Sequence, residues 1–171
     1  MSSTLEEFQD ILNAETSIDI DRLRELAKHG VPDRIRGTVW KYLLGSEKLD
    51  RCTELSDTKA KYEDYLQYEK ENSEISKSVR GEVSRYTRAR AKKASFFNAN
   101  TLPRVLTNVI SAYINHNGAL MEADSNMSVE FGGGLVHLCG PLVYILNDES
   151  EIYWTFERLM NVLGKWNFAE G

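Results

Sequence analysis

Gly30-Val31-Pro32-Asp33-Arg34-Ile35-Arg36-Gly37-Thr38-Val39-Trp40-Lys41-Tyr42-Leu43-Leu44-Gly45 is the stretch from which the fold is read. Gly30 stops the preceding helix, because glycine accepts the left-handed backbone that a helix terminus needs. Val31-Pro32-Asp33 restarts the chain. Ile35, Val39 and Leu43, with Trp40 and Leu44 beside them, then form a broad apolar stripe at helical spacing. Gly37 leaves room on that stripe for a close neighbour. The segment reads as the core helix of the first half.

The same period runs outward from it. Upstream, Thr4 and Glu7 make a capping box for a short amphipathic helix carrying Leu5, Phe8, Ile11 and Leu12. Asp19 or Asp21 caps a second, with Leu23, Leu26 and Ala27 on its apolar side. Downstream, residues 46–73 are polar, and Tyr62, Tyr65, Leu66 and Tyr68 give a narrow apolar edge to a solvent-facing helix. Ile75, Val79, Val83 and Tyr86 mark the next one, whose end carries Arg85, Arg88, Arg90, Lys92 and Lys93, where positive charge suits the dipole. After a loop at 94–100, Thr101 caps a helix with Pro103 in its first turn and Leu102, Val105, Leu106, Val109, Ile110 and Tyr113 on its buried face. Residues 117–130 read as a polar connection, and 135–146 as a nearly all-apolar helix that Pro141 kinks or starts. Asp148 and Glu151 cap a last helix bearing Ile152, Trp154, Phe156, Leu159, Met160 and Leu163. Period-two alternation is nowhere sustained, so the chain reads as all-α, an orthogonal multi-helix arrangement in a single domain over residues 1–171.

Composition narrows the function. With 171 residues, 42% hydrophobic and 27% charged, the chain has the make-up of a soluble globular domain with one substantial core. A net charge of −5 argues against wholesale binding to nucleic acid or anionic membrane unless basic residues are strongly clustered. Cys52 and Cys139 lie far apart and only three histidines are present, so neither a disulfide framework nor a metal site is encoded, and no cofactor is expected. No apolar window reaches the roughly 18 residues of a membrane span, and the N-terminus lacks a signal-peptide pattern. A cytoplasmic protein is expected, peripheral on endomembranes where a partner recruits it.

Two motifs together carry a family resemblance. Gly30-Val31-Pro32-Asp33-Arg34-Ile35-Arg36 leading to Trp40 and Leu43-Leu44-Gly45 resembles the opening motif of the TBC domain, found in GTPase-activating proteins for Rab-type GTPases. Val79, Glu82 and Arg85 stand in register with that family's Ile-x-x-Asp-x-x-Arg motif, and Phe96-Phe97 is similar to the aromatic pair that follows it. Leu106 to Asn117 and Trp154 to Met160 resemble later family helices, so the likeness covers about residues 20–163, the N-terminal part of such a domain. It implies an arginine finger at Arg85, positioned by Glu82, with Arg36, Trp40 and Phe131 at the binding surface and a Rab-type small GTPase as partner. It implies no enzyme in the strict sense, since the bond broken lies in a nucleotide held by the partner.

The departures bear on catalysis. Aligning Leu138, Pro141 and Leu142 with the family's Leu-x-x-Pro-Leu puts Phe131-Gly132-Gly133-Gly134-Leu135 on its Tyr-x-Gln-Gly-Met, so Gly133 stands where the glutamine finger should be. Gln9 and Gln67, the chain's two glutamines, are too distant to replace it, and Glu130 beside a triphosphate would be repelled. Glu82 replaces aspartate, and Tyr86 replaces the customary threonine. The family domain usually continues through further helices, so the chain reads as truncated at its C-terminus. If those helices are needed to cover Leu142, Ile145, Phe156 and Leu159, stability should be marginal, with Trp166 and Phe168 left in an exposed apolar patch. Two functions follow: a GTPase activator with weakened catalysis, or a catalytically inactive adaptor using the same surface.

Plainer readings stand beside these. Arg85 and Glu82 form an i, i+3 pair that could be a solvated charge cluster alone. Gly132 to Gly134 suit a flexible helix start better than a phosphate-cradling loop, since no Gly-Lys-Ser/Thr follows. His137 reads as a hydrogen-bonded core residue and Cys139 as packing. The basic stripe from Arg85 to Lys93 could meet acidic membrane or RNA, with Tyr86 and Phe96 available for stacking. A helical scaffold unrelated to GTPases would require both motif matches to be chance.

Overall fold

The computed structural model describes residues 3–70, 73–122 and 131–169, with side-chain surroundings for 3–70, 77–117 and 134–164. Eight α-helices are described: α1 (Thr4–Leu12), α2 (Ile20–Ala27), α3 (Arg36–Leu44), α4 (Glu54–Gln67), α5 (Ser73–Ala89), α6 (Thr101–Glu122), α7 (Phe131–Cys139) and α8 (Glu149–Ala169). Short 3₁₀ turns at Asp33–Ile35 and Gly140–Tyr144 precede α3 and follow α7. No strand occurs among the described residues, only an isolated bridge between Ser17 and Asp50, and the fold is all-α.

Two apolar clusters organise the helices. The smaller gathers Phe8 and Ile11 of α1, Ile18, Leu23 of α2, and Val39 and Tyr42 of α3. Arg51 ties it together by donating to the carbonyl of Leu12 at 2.9 Å, an orphan acceptor in the last turn of α1, and to that of Ala14, just past the helix, at 2.7 Å. The larger is built from the inward faces of α5, α6, α7 and α8, with Tyr65 entering from α4. At Gly37 the two halves touch: a Cβ there would overlap the carbonyl oxygen of Ile145, so the glycine is the close-approach position its place on the stripe suggests.

Helix ends depart from the sequence reading in informative ways. The box at α1 uses Ser3 and Glu6 instead of Thr4 and Glu7; Ser3 has the same spacing and an extended backbone, which lets Thr4 join the helix. Asp19, not Asp21, caps α2, and Asp148 caps α8 by accepting the Glu151 N–H at 3.0 Å. Thr101 is the first residue of α6; Asn98 Oδ1 accepts both its N–H and its hydroxyl at 2.9 Å. That helix continues to Glu122, into the expected polar connection, where Ala119, Leu120, Met121 and Glu122 are all strong helix formers. The rest of that connection, 123–130, lies outside the described residues. Residues 135–146 are not one helix: α7 gives way at Gly140 to the tighter turn containing Pro141, which has no N–H for the α-helical bond.

Burial corrects three further readings. Tyr65 is 1% exposed and donates to Glu149 Oε2 at 2.8 Å, so α4 is anchored to α8 and not merely edged with apolar residues. His137 is exposed, its ring meeting the edge of Tyr86 at 5.5 Å, because the inward side of α7 is taken by Leu135, Val136 and Cys139. Leu142 and Phe156, 1% and 0% exposed, are covered by the chain's own helices. Cys139 is fully buried, which pushes its thiol pKa up and leaves it a packing group. Trp40 and Trp154 lie half-buried against the larger cluster. The surroundings of Ile75, Trp166 and Phe168 lie outside the described residues.

Candidate functional site

The helix that carries Arg85 is defined by what it buries. Val79 and Val83 are each 1% exposed and Tyr86 5%, facing α6 and α7. A three-residue step falls about 60° short of a full turn. Val79, Glu82 and Arg85 therefore pass from core to boundary to solvent, with the Glu82 side chain 30% exposed and that of Arg85 71% exposed. Arg85 Nη2 donates to Glu82 Oε1. An exposed pair of this kind contributes at most about 1 kcal/mol, so the brace orients the guanidinium without fastening it.

Tyr86, the next residue, faces the other way. Its ring occupies the space a Cβ at Gly140 would need, the Arg90 guanidinium lies 3.8 Å over it, and burial pushes its hydroxyl pKa up against the opposing influence of Arg90. This contact joins α5 to the junction of α7 and its 3₁₀ turn. Phe131, Gly132 and Gly133 form the first turn of α7, so the glycine run is a helix start, but the surroundings of Phe131 and Gly133 lie outside the described residues. Gly134, next along, has open space where a Cβ would stand.

Arg36 and Trp40 sit in another neighbourhood, on α3, which packs against α2 and α8. The Arg36 guanidinium donates to the Val31 carbonyl at 2.9 Å and pairs with Asp33 at 2.7 Å, closing its own Gly-Val-Pro-Asp turn. The structure therefore brings Arg85 and Glu82 together and places Arg36 and Trp40 apart from them.

A feature the sequence did not disclose is a cleft of about 500 Å³ between α3, α4 and the start of α8, lined in part by Lys41, Lys61, Tyr62 and Trp154. Lys41 pairs there with Glu151 at 3.0 Å and Glu47 at 3.8 Å. No pattern could reveal this, since Lys41 and Glu151 are 110 residues apart. Its charges neutralise one another, and no nucleophile and base are paired in it. Among the described residues no group of His, Cys, Asp or Glu could hold a metal ion, and no helix is long and apolar enough to cross a membrane. What the α5 surface offers chemically is a positive, planar, five-donor group directed at solvent, suited to an anion brought by a partner.

An all-helical domain with a carboxylate-braced arginine on an outward helix face is the class of protein defined to this point. The family model of the Rab-GTPase-TBC domain matches residues 33–170, and the chain belongs to that family. The match begins after α1 and α2 and reaches further toward the C-terminus than the motifs alone indicated. No curated protein and no solved structure matches the chain. TBC domains bind Rab GTPases, and their family is one of GTPase activators.

Proposed function

We propose that this chain regulates a Rab-type small GTPase by presenting Arg85 to the bound GTP, with Glu82 aiming the guanidinium and with acceleration weakened because Gly133 stands where the family has glutamine. The observation that carries this reading is the placement of Arg85: inside the family match, on α5, opposite the buried face and largely exposed. Hydrolysis spreads negative charge over the transferring phosphoryl oxygens, and a guanidinium supplied from outside is worth about a thousand- to a hundred-thousandfold in rate. The attacking water must also be held in line, and a glycine has no amide to hold it. Phe131 belongs, in this reading, to the contact surface, while Arg36 and Trp40 support it from α3. Any peripheral membrane association arises here through the partner.

Gly133 favours one alternative, a catalytically inactive adaptor that binds the GTPase, or another protein, through the same surface. Hydrolysis by a panel of purified Rab-type GTPases separates the two. Stimulation by the wild type that is lost in Arg85→Ala and rises in Gly133→Gln supports the weakened activator. Binding without stimulation by any of the three forms supports the adaptor. Wild-type stimulation untouched by Arg85→Ala would sink the finger assignment.

A further inference from the structure

Charge is distributed very unevenly along this acidic chain. Between Glu82 and Glu122 there are six basic residues and no acidic one, in a chain of net charge −5. The turn joining α5 to α6 lies within this interval and is pinned in several places. Arg90 folds back over the Tyr86 ring at 3.8 Å and Lys93 over Tyr144 at 4.6 Å. Ser95 Oγ donates to the Val143 carbonyl at 2.9 Å, Phe97 packs on the larger cluster, and Asn98 caps α6. From this held turn Phe96 projects with 65% of its surface exposed, flanked by exposed Arg88, Lys92 and Lys93 before it and exposed Arg104 after it.

A large aromatic at the tip of an ordered basic turn has the two ingredients of interfacial adsorption: an apolar group to enter the headgroup boundary, and cations to be drawn to an anionic leaflet. RNA fits less well. Single-strand binding needs successive stacking platforms, and Tyr86, the other aromatic of the stripe, is 5% exposed and covered by Arg90. We infer that the α5–α6 turn is a docking surface for an anionic lipid bilayer, engaged directly by this chain and independently of a GTPase. Arg85 lies three residues back from Arg88 along α5, short of a full turn, so the two roles are separated by substituting Arg88, Lys92 and Phe96 while Arg85 is kept.

The test is flotation of the full chain with phosphatidylcholine vesicles, neutral or containing about 30% phosphatidylserine. The expected result is association with the anionic vesicles only, lost when salt is raised from about 0.1 M to about 0.5 M. Arg88→Gln and Lys92→Gln should each weaken it about fivefold, and Phe96→Ser by a similar factor. All three positions are exposed, so unfolding midpoints should match the wild type. Absence of flotation, equal flotation with neutral vesicles, or indifference to these substitutions overturns the inference. So does a single-stranded oligouridine that binds the wild type and displaces it from the vesicles. Arg85→Ala should still float with the anionic vesicles even if it abolishes GTPase stimulation, so failure of either idea leaves the other standing.

Discussion

Tyr86 and Gly140 illustrate how much rests on single positions here. The resemblance puts threonine at 86, and the tyrosine is accommodated because residue 140 has no side chain. Gly140→Ala should therefore cost about 1–3 kcal/mol through overpacking, read as a lower denaturant midpoint with unchanged slope. Tyr86→Thr in that background should recover part of the loss, and no recovery would show that the overlap is not the cause. The buried tyrosines make a pH prediction. Burial first, and then the nearby Glu149 for Tyr65 and Glu157 for Tyr153, raise both phenol pKa values above the ordinary value near 10. Above that pH the unfolded chain loses phenolic protons that the native state keeps. The stability is thus fully present below about pH 10 and falls with rising pH by about 1.4 kcal/mol per unit for each tyrosine. Thermal midpoints across pH 8 to 11 should show this, with a shallower decline in Tyr65→Phe. From sequence, Tyr65 could be placed on an apolar edge but not in the core, and His137 was misread as buried. Periodicity reports which side of a helix is apolar, not how far a neighbour covers it.

The helices themselves were largely legible, and their boundaries less so. Asp148 was readable as a cap because an acceptor side chain before an apolar-periodic run has one obvious use. Asp148→Ala should cost about 1 kcal/mol, measured by chemical unfolding; a change within error would mean that water replaces the lost acceptor. Where several polar residues were available, as at Ser3 and Thr4 or at Asn98 and Thr101, the choice depended on backbone conformation outside the helix. The apolar run from Leu135 to Leu146 gave no internal warning beyond Pro141, yet it divides into α7 and a 3₁₀ turn. That division sets Gly140 under Tyr86 and carries Ile145 round to Gly37.

Across the whole molecule, α3 and α8 couple the two clusters. The link includes the Gly37–Ile145 approach, the Lys41–Glu151 pair and the Arg158 guanidinium on the Leu44 carbonyl at 3.4 Å. We expect one cooperative transition, with tryptophan fluorescence and far-ultraviolet circular dichroism sharing a midpoint. An early step confined to α1 and α2 would mean that the smaller cluster is an independent unit. The amino-acid order by itself determined the all-helical class, most of the apolar faces, the pairing of Glu82 with Arg85 and the family motifs, because these depend on spacings of three or four residues within one helix. Only the tertiary structure decided that Arg85 faces solvent while Tyr86 is locked against Gly140, that Lys41 meets Glu151, and that Phe96 stands out from a pinned basic turn. Those facts depend on which helices meet and how closely, a matter of packing between distant segments that local periodicity does not encode.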